Sequence, residues 1–199
     1  MRVLILHTAA PDTDPPGRRA WELDLGPAAQ SIAAALPDAA IARVHGEPRE
    51  ILALLDRHRP DVVYNLCEAP RGRPDLEAHV ASLLEWAAVR FTGSGSETLA
   101  LCRRKDRAAA VLAAAGVAVP ATDGFPCIVK PLAEDGSAGI DRASVCNDEA
   151  AVRQARARIA GRALVQQFLP GREFAVSLWG GMTPDHVSIG ETPFAATFA

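Results

Sequence analysis

Phe125-Pro126-Cys127-Ile128-Val129-Lys130-Pro131, followed by Leu132-Ala133-Glu134-Asp135-Gly136-Ser137-Ala138-Gly139-Ile140, is the stretch on which the fold turns. The β-branched Ile128 and Val129 favour extended backbone. Pro126 suits a strand's first position, and Pro131 ends the ladder because it has no N–H to donate. Lys130 is therefore expected at the end of a strand. Side chains alternate along a strand, so Lys130 shares a face with Ile128, while Cys127 and Val129 point the other way. One face belongs to a core and the other reaches a site. Beyond the proline, Gly136 and Gly139 bracket two small residues, a composition that lets backbone N–H groups approach an anion closely. A phosphate is the guest this chemistry fits, and a plain turn is the alternative.

The basic residues support an anion site. Of 21 lysines and arginines, only Lys105 and Lys130 are lysine. Lysine is a compact charge on a flexible stem, whereas arginine is a wide planar fork. A narrow pocket around one phosphate oxygen therefore favours lysine. Lys105 is expected at a helix start, where a solvated residue beside Arg103, Arg104 and Arg107 is the plainer reading.

A chain of 199 residues has room for two small domains, each with its own core. The apolar and charged fractions, 49% and 23%, are those of a globular protein, and a net charge of −3 argues against nucleic acid and anionic membrane as partners. A small molecule is the expected partner. Cys67, Cys102, Cys127 and Cys146 form no C-x-x-C pair and have no histidine at zinc-site spacing, so reduced thiols in a cytoplasmic protein are expected. No signal peptide or apolar run of membrane-spanning length is evident.

Residues 3–6 form a short continuous apolar run, the pattern of a buried parallel strand. The proline-rich segment 8–19 is a loop at that strand's C-terminal end, where α/β proteins place ligands. A helix over 27–36, a strand over 40–44, a helix over 49–58 and a strand over 61–66 complete a β-α-β-α-β alternation. Such alternation predicts a parallel sheet covered on both faces. Helical spacing continues over 75–88, with a short strand at 89–92. Gly93-Ser94-Gly95-Ser96 is a turn and the expected domain boundary, with Ser96 as an N-cap. One or two helices follow over 97–115. After the lysine strand come a helix over 147–159 and strands over 163–168 and 174–178. Residues 189–199 end in apolar residues without a cap, the pattern of an incomplete domain. Pro193-Phe194-Ala195-Ala196-Thr197-Phe198 is expected to promote association if exposed.

Neither G-x-x-x-x-G-K-[ST] nor G-x-G-x-x-G occurs. The order and spacing of Lys105, Lys130, the loop 134–139, Gln166-Gln167-Phe168-Leu169 and Pro170-Gly171-Arg172-Glu173 instead resemble the ATP-grasp superfamily, most closely its D-alanine–D-alanine ligase branch. The likeness extends back to Asn65-Leu66-Cys67-Glu68, Leu83-Leu84-Glu85 and Phe91-Thr92-Gly93-Ser94. It implies an α/β protein whose N-terminal parallel-sheet (pre-ATP-grasp) domain, 1–95, precedes the first part of an α+β ATP-grasp domain, 96–199. It further implies ATP as nucleotide, with Lys105 and Lys130 on its phosphates and Gly136, Ser137 and Gly139 closing over them. Gln166, Phe168 and Leu169 would hold adenine, and Glu173 would accept from ribose hydroxyls. Taken singly, Glu173 also fits an ion pair with Arg172. Glu68 could meet a substrate amine or be a solvated loop carboxylate.

The implied activity joins a carboxylate to an amine through an acyl phosphate, with small-molecule substrates and a homodimer among its partners. The family usually carries an acid at the position of Gln166, where glutamine accepts without charge. Its histidine and glycine-flanked acids are replaced by Arg71-Gly72-Arg73-Pro74-Asp75-Leu76-Glu77, which leaves substrate identity open. The family's magnesium ligands fall beyond the last strand, where Glu191 is the sole carboxylate of residues 189–199. Mg2+ ligands are therefore expected beyond the C-terminus, and this chain alone is expected to bind ATP without turning it over. A non-catalytic nucleotide-binding module and an interaction protein with a degenerate pocket are the alternatives.

Overall fold

Strand β1 (Val3–Thr8) owes its place to five consecutive buried residues, Leu4 to Thr8, which leave neither face of the strand in water. It is central in a parallel sheet of order β2-β1-β3, with β2 (Ala40–Val44) and β3 (Val62–Leu66) on either side. Leu4 stands opposite both Ala40 and Val63, which sets the register. The computed structural model describes residues 1–9, 24–36, 38–180 and 184–192. Most of the loop expected over 8–19, and the apolar stretch 193–198, lie outside the described residues.

Helices cover this sheet as the alternation predicts. On one face α2 (Pro48–His58) contributes Ile51 and Leu55, and α3 (Glu77–Trp86) contributes Val80 and Leu84. These i, i+4 pairs meet Leu4, Leu6, Val44 and Val63 in one core. Ile5 and His7 point the other way, the side taken by α1 (Gly26–Ala35). A Cβ on Gly26 would sit 3.8 Å from the His7 ring. His7 is buried, with Nδ1 3.1 Å from the Thr8 carbonyl oxygen. β2 is the exposed edge, and its outward residues include Ile41 and Arg43.

The strand expected at 89–92 is a single parallel bridge, Phe91 to Val63. Backbone bonds from Val63 N–H to Arg90 and from Thr92 N–H to Val63 hold it, and the Thr92 hydroxyl accepts from Asn65 N–H at 3.1 Å. Gly93 turns the chain before a ladder can extend. Two 3-10 turns, Pro70–Gly72 and Pro74–Leu76, precede α3. Gly46, at φ +97°, lets the first of these press close, since a Cβ there would lie 2.9 Å from Arg71 Cγ. An Arg71–Glu47 ion pair spans the same contact.

Helices α4 (Ser96–Arg103) and α5 (Lys105–Ala114) divide at Arg104, whose guanidinium pairs with Asp106. Ser96 is the first residue of α4, and its N-cap is Gly95. The Ser96 hydroxyl and N–H both donate to the Glu85 carboxylate, tying α4 to α3. Contacts divide the chain into two compact units, Met1–Val111 and Leu112–Ala199.

In the second unit β4 (Cys127–Pro131) lies between β5 (Val145–Cys146) and β6 (Ala163–Gln167) in an antiparallel sheet. Pro131 is the strand's last residue, still in register with Ala163. Helix α6 (Glu149–Arg158) is capped by Asp148, whose carboxylate accepts from Ala151 N–H at 2.8 Å. Val152 and Ala155 of α6 pack on Cys127, Val129 and Cys146. Strands β7 (Glu173–Gly180) and β8 (Pro184–Thr192) form a hairpin, so Ile189 belongs to a regular strand. Val176, Leu178 and Ile189 are exposed on it. Cys67, Cys127 and Cys146 are buried, and Cys102 on α4 is exposed.

Candidate functional site

The pleat of β4 builds the site. Cys127, Val129 and Pro131 are buried, while Ile128 and Lys130 are only partly so. Helix α6 covers the first set. On the other face Ile128 stands opposite Gln166, and Lys130 opposite Leu164. Register thus places an ammonium group and a carboxamide on one side of the sheet, away from the core that holds both strands.

This face floors a cleft of about 360 Å³ lined by Ile128, Lys130, Ser137, Ile140, Gln166, Gln167, Phe168, Leu169, Arg172 and Glu173, with Pro120 and Gly171. Of the residues singled out from sequence, Lys130, Ser137, Gln166, Phe168, Leu169 and Glu173 meet here. Gly136 and Gly139 shape the loop that brings Ser137 in. Both have positive φ, +62° and +73°, as does Ser137 at +57°. A Cβ at Gly139 would lie 3.0 Å from Pro131 Cγ, so the loop folds back onto the end of the lysine strand. Backbone bonds from Ala138 N–H to Asp135 and from Ile140 N–H to Ser137 close its turns. Beyond β6, Phe168 N–H donates to the Pro126 carbonyl at 3.0 Å, which holds the aromatic residue at the cleft wall.

Lys105 and Glu68 belong to the first unit. Lys105 opens α5, and Glu68 is exposed just past β3. His79 lines a small apolar cavity with Ile51, Leu76, Val80 and Leu83. Sequence reasoning did not assign Pro120, Ile140 or Arg172 to the cleft. Arg172 does not pair with Glu173. Its guanidinium lies 4.8 Å from the Phe174 ring centroid and 3.7 Å from Glu191. The Arg-x-Phe spacing, with Arg172 just ahead of β7 and Phe174 within it, was the available signal.

Chemically, the cleft offers a cation and a small-residue loop at one end, and an aromatic and aliphatic wall with the Gln166 carboxamide at the other. A carboxylate stands at the rim. That is a division between an anionic group and a flat, apolar, hydrogen-bonding one. Among the described residues no group of three or more histidine, cysteine, aspartate or glutamate side chains could hold a metal ion.

The arrangement matches known proteins in backbone. D-alanine–D-alanine ligase from Bacillus anthracis, solved with ATP, superposes with a TM-score of 0.65 at 13% identity, covering 98% of this chain and 72% of that one. The Helicobacter pylori enzyme gives 0.63 at 16% identity, over 100% and 76%. These define the fold as that of ATP-grasp ligases. In sequence the chain is 34% identical over 160 residues to D-alanine–D-alanine ligase of Beijerinckia indica, covering 71% of this chain and 50% of that protein. For the Gluconobacter oxydans enzyme the figures are 30% over 144 residues, 65% and 46%. The chain spans about half the length of the curated relatives it matches. No protein-family model matches it. Sequence and fold together make it a D-alanine–D-alanine ligase-like protein of the ATP-grasp superfamily. Among the described residues no helix is long and apolar enough to cross a membrane.

Proposed function

We propose that the cleft of the second unit binds ATP, and that the protein acts as an ATP-dependent carboxylate–amine ligase of the D-alanine–D-alanine type. The observation that carries this reading is the single sheet face on which Lys130 and Gln166 project beside the Ser137 loop, with the core held on the opposite face. Lys130 would neutralise phosphate charge and the 134–139 loop would pack over it. Phe168 and Leu169 would flank the base, and Glu173 would accept from the ribose. ATP, once bound, would supply the phosphoryl group that turns a carboxylate into an acyl phosphate open to an amine. Lys105 would add a second cation to the phosphates, and Glu68 would meet the substrate amine.

Functionally the chain divides into a preceding domain, 1–95, and the nucleotide-binding domain, 96–199. Small-molecule substrates, a homodimer and a cytoplasmic setting complete the reading. The charge compensation argued from this chain's own residues rests on lysine and loop. The second reading is a nucleotide-binding module without turnover. Calorimetric titration with ATP, beside an assay for D-alanine-dependent ADP release with magnesium, separates them. Release at roughly 1 per second or faster supports the ligase. Binding without release supports the module, and absence of binding at millimolar ATP overturns both.

A further inference from the structure

The base-facing end of the cleft has an unusual property: the polar side chain that the pleat of β6 turns into it beside Phe168 and Leu169 is the carboxamide of Gln166. That carboxamide has no hydrogen-bond partner among the described residues, so nothing there fixes which of its ends faces the cleft. A carboxylate in such a place is an acceptor only, and would select a base edge bearing an exocyclic amine. A carboxamide carries an acceptor oxygen on one side and two N–H donors on the other, and a half-turn about its last torsion exchanges them.

Gln166 stands across the ladder from Ile128, two residues before Lys130, which places the carboxamide about 7 Å along the strand from the lysine. That spacing separates the edge-reading group from the phosphate-reading one. The carboxylate among the cleft's lining residues, Glu173, lies on the β7 side.

We propose that this cleft selects purine nucleotides by shape and stacking rather than by the donor and acceptor pattern of the base, and that Gln166 is the residue that permits it. Adenine offers an amine and a ring acceptor on its edge, guanine a carbonyl and a ring N–H. An unheld carboxamide satisfies the exocyclic group of either by turning over. Purines share the two-ring face that meets Phe168 and Leu169, and pyrimidines lose part of it. This inference rests on the nucleotide-binding reading above.

The test is equilibrium binding of ATP, GTP and CTP to the whole chain and to its Gln166→Glu variant, with circular dichroism to confirm that both are folded. The unsubstituted protein should bind ATP and GTP within about fivefold of each other, and CTP at least tenfold more weakly, by the loss of ring contact. Gln166→Glu should raise the preference for ATP over GTP by tenfold or more, because a fixed acceptor attracts the adenine amine and opposes the guanine carbonyl. A protein that already prefers ATP by fiftyfold or more would overturn the inference and leave ATP binding intact. So would a folded Gln166→Glu variant with an unchanged ratio. If none of the three nucleotides binds at millimolar concentration, the nucleotide reading itself fails and takes this one with it.

Discussion

Substituting neighbouring residues of β4 should produce two unrelated defects. Lys130→Met keeps a flexible stem of similar length but removes the ammonium that lines the cleft. A charge-assisted contact is worth about 1.5–3 kcal/mol, so ATP affinity should fall about 10- to 150-fold. Any loss of thermal stability should stay smaller than that of a core substitution, since the side chain is on the cleft face. Val129, one residue back, is fully buried against α6. Val129→Ala deletes two methyl groups, for about 1.6 kcal/mol of transfer free energy plus a cavity contribution, or roughly 1.5–3 kcal/mol in all. It should lower stability by that amount while leaving ATP affinity within about threefold under folding conditions. Lys130→Arg should also lose affinity, because the planar fork needs more room than a point charge. Calorimetry with ATP and urea unfolding, run on all variants, measure the two quantities separately. Unaltered affinity in both Lys130 variants would refute the reasoning. So would a folded Val129→Ala protein that binds ATP as weakly as Lys130→Met.

Gly139→Ala should destabilise the loop by about 1–3 kcal/mol, because alanine is strained at φ +73° and its Cβ would crowd Pro131. Faster proteolysis within 134–139 would register this. Asp148→Ala removes the cap on α6 and should cost about 0.5–2 kcal/mol, read as a lower melting temperature. Burial, with a smaller contribution from the Glu50 charge, pushes the Cys67 thiol from 9.0 to about 12. The folded state then keeps a proton that the unfolded chain releases. The associated stability is present below pH 9 and declines as pH rises towards 12, by up to about 1.4 kcal/mol per pH unit. Urea unfolding at about pH 8 and pH 10.5 should show this slope in the parent and a smaller one in Cys67→Ala.

The parallel sheet was legible because its signals are local and periodic. Leu4 to Leu6 is a continuous apolar run, Ile51 and Leu55 repeat at helical spacing, and Gly and Pro punctuate the joins. The two faces of β4 were legible for the same reason, as alternation needs only neighbours in sequence. Contacts that join distant segments left no such mark. Ser96 reads as a cap from its own neighbourhood, yet its hydroxyl is taken by Glu85, eleven residues earlier on a packed helix. Phe91 has strand-like chemistry, but Gly93 leaves it one bridge. Arg172 reads as a partner for adjacent Glu173, whereas β pairing brings Glu191 within reach from the other side of a hairpin. Ile140 enters the cleft only through the left-handed residues that fold the loop back, which spacing alone does not reveal.

The distribution of the four cysteines makes the protein its own labelling reagent target. Cys102 is exposed on α4 in the first unit, while Cys67 is shut into that unit's core and Cys127 and Cys146 into the other's. A maleimide dye should therefore attach to the native chain at Cys102 first, giving a single fluorescent position without any substitution. Slower modification at Cys67 would then count openings of the first unit, and modification at Cys127 or Cys146 openings of the second. Mass spectrometry of the labelled peptides would time the two separately, so the chain carries an internal clock for each half.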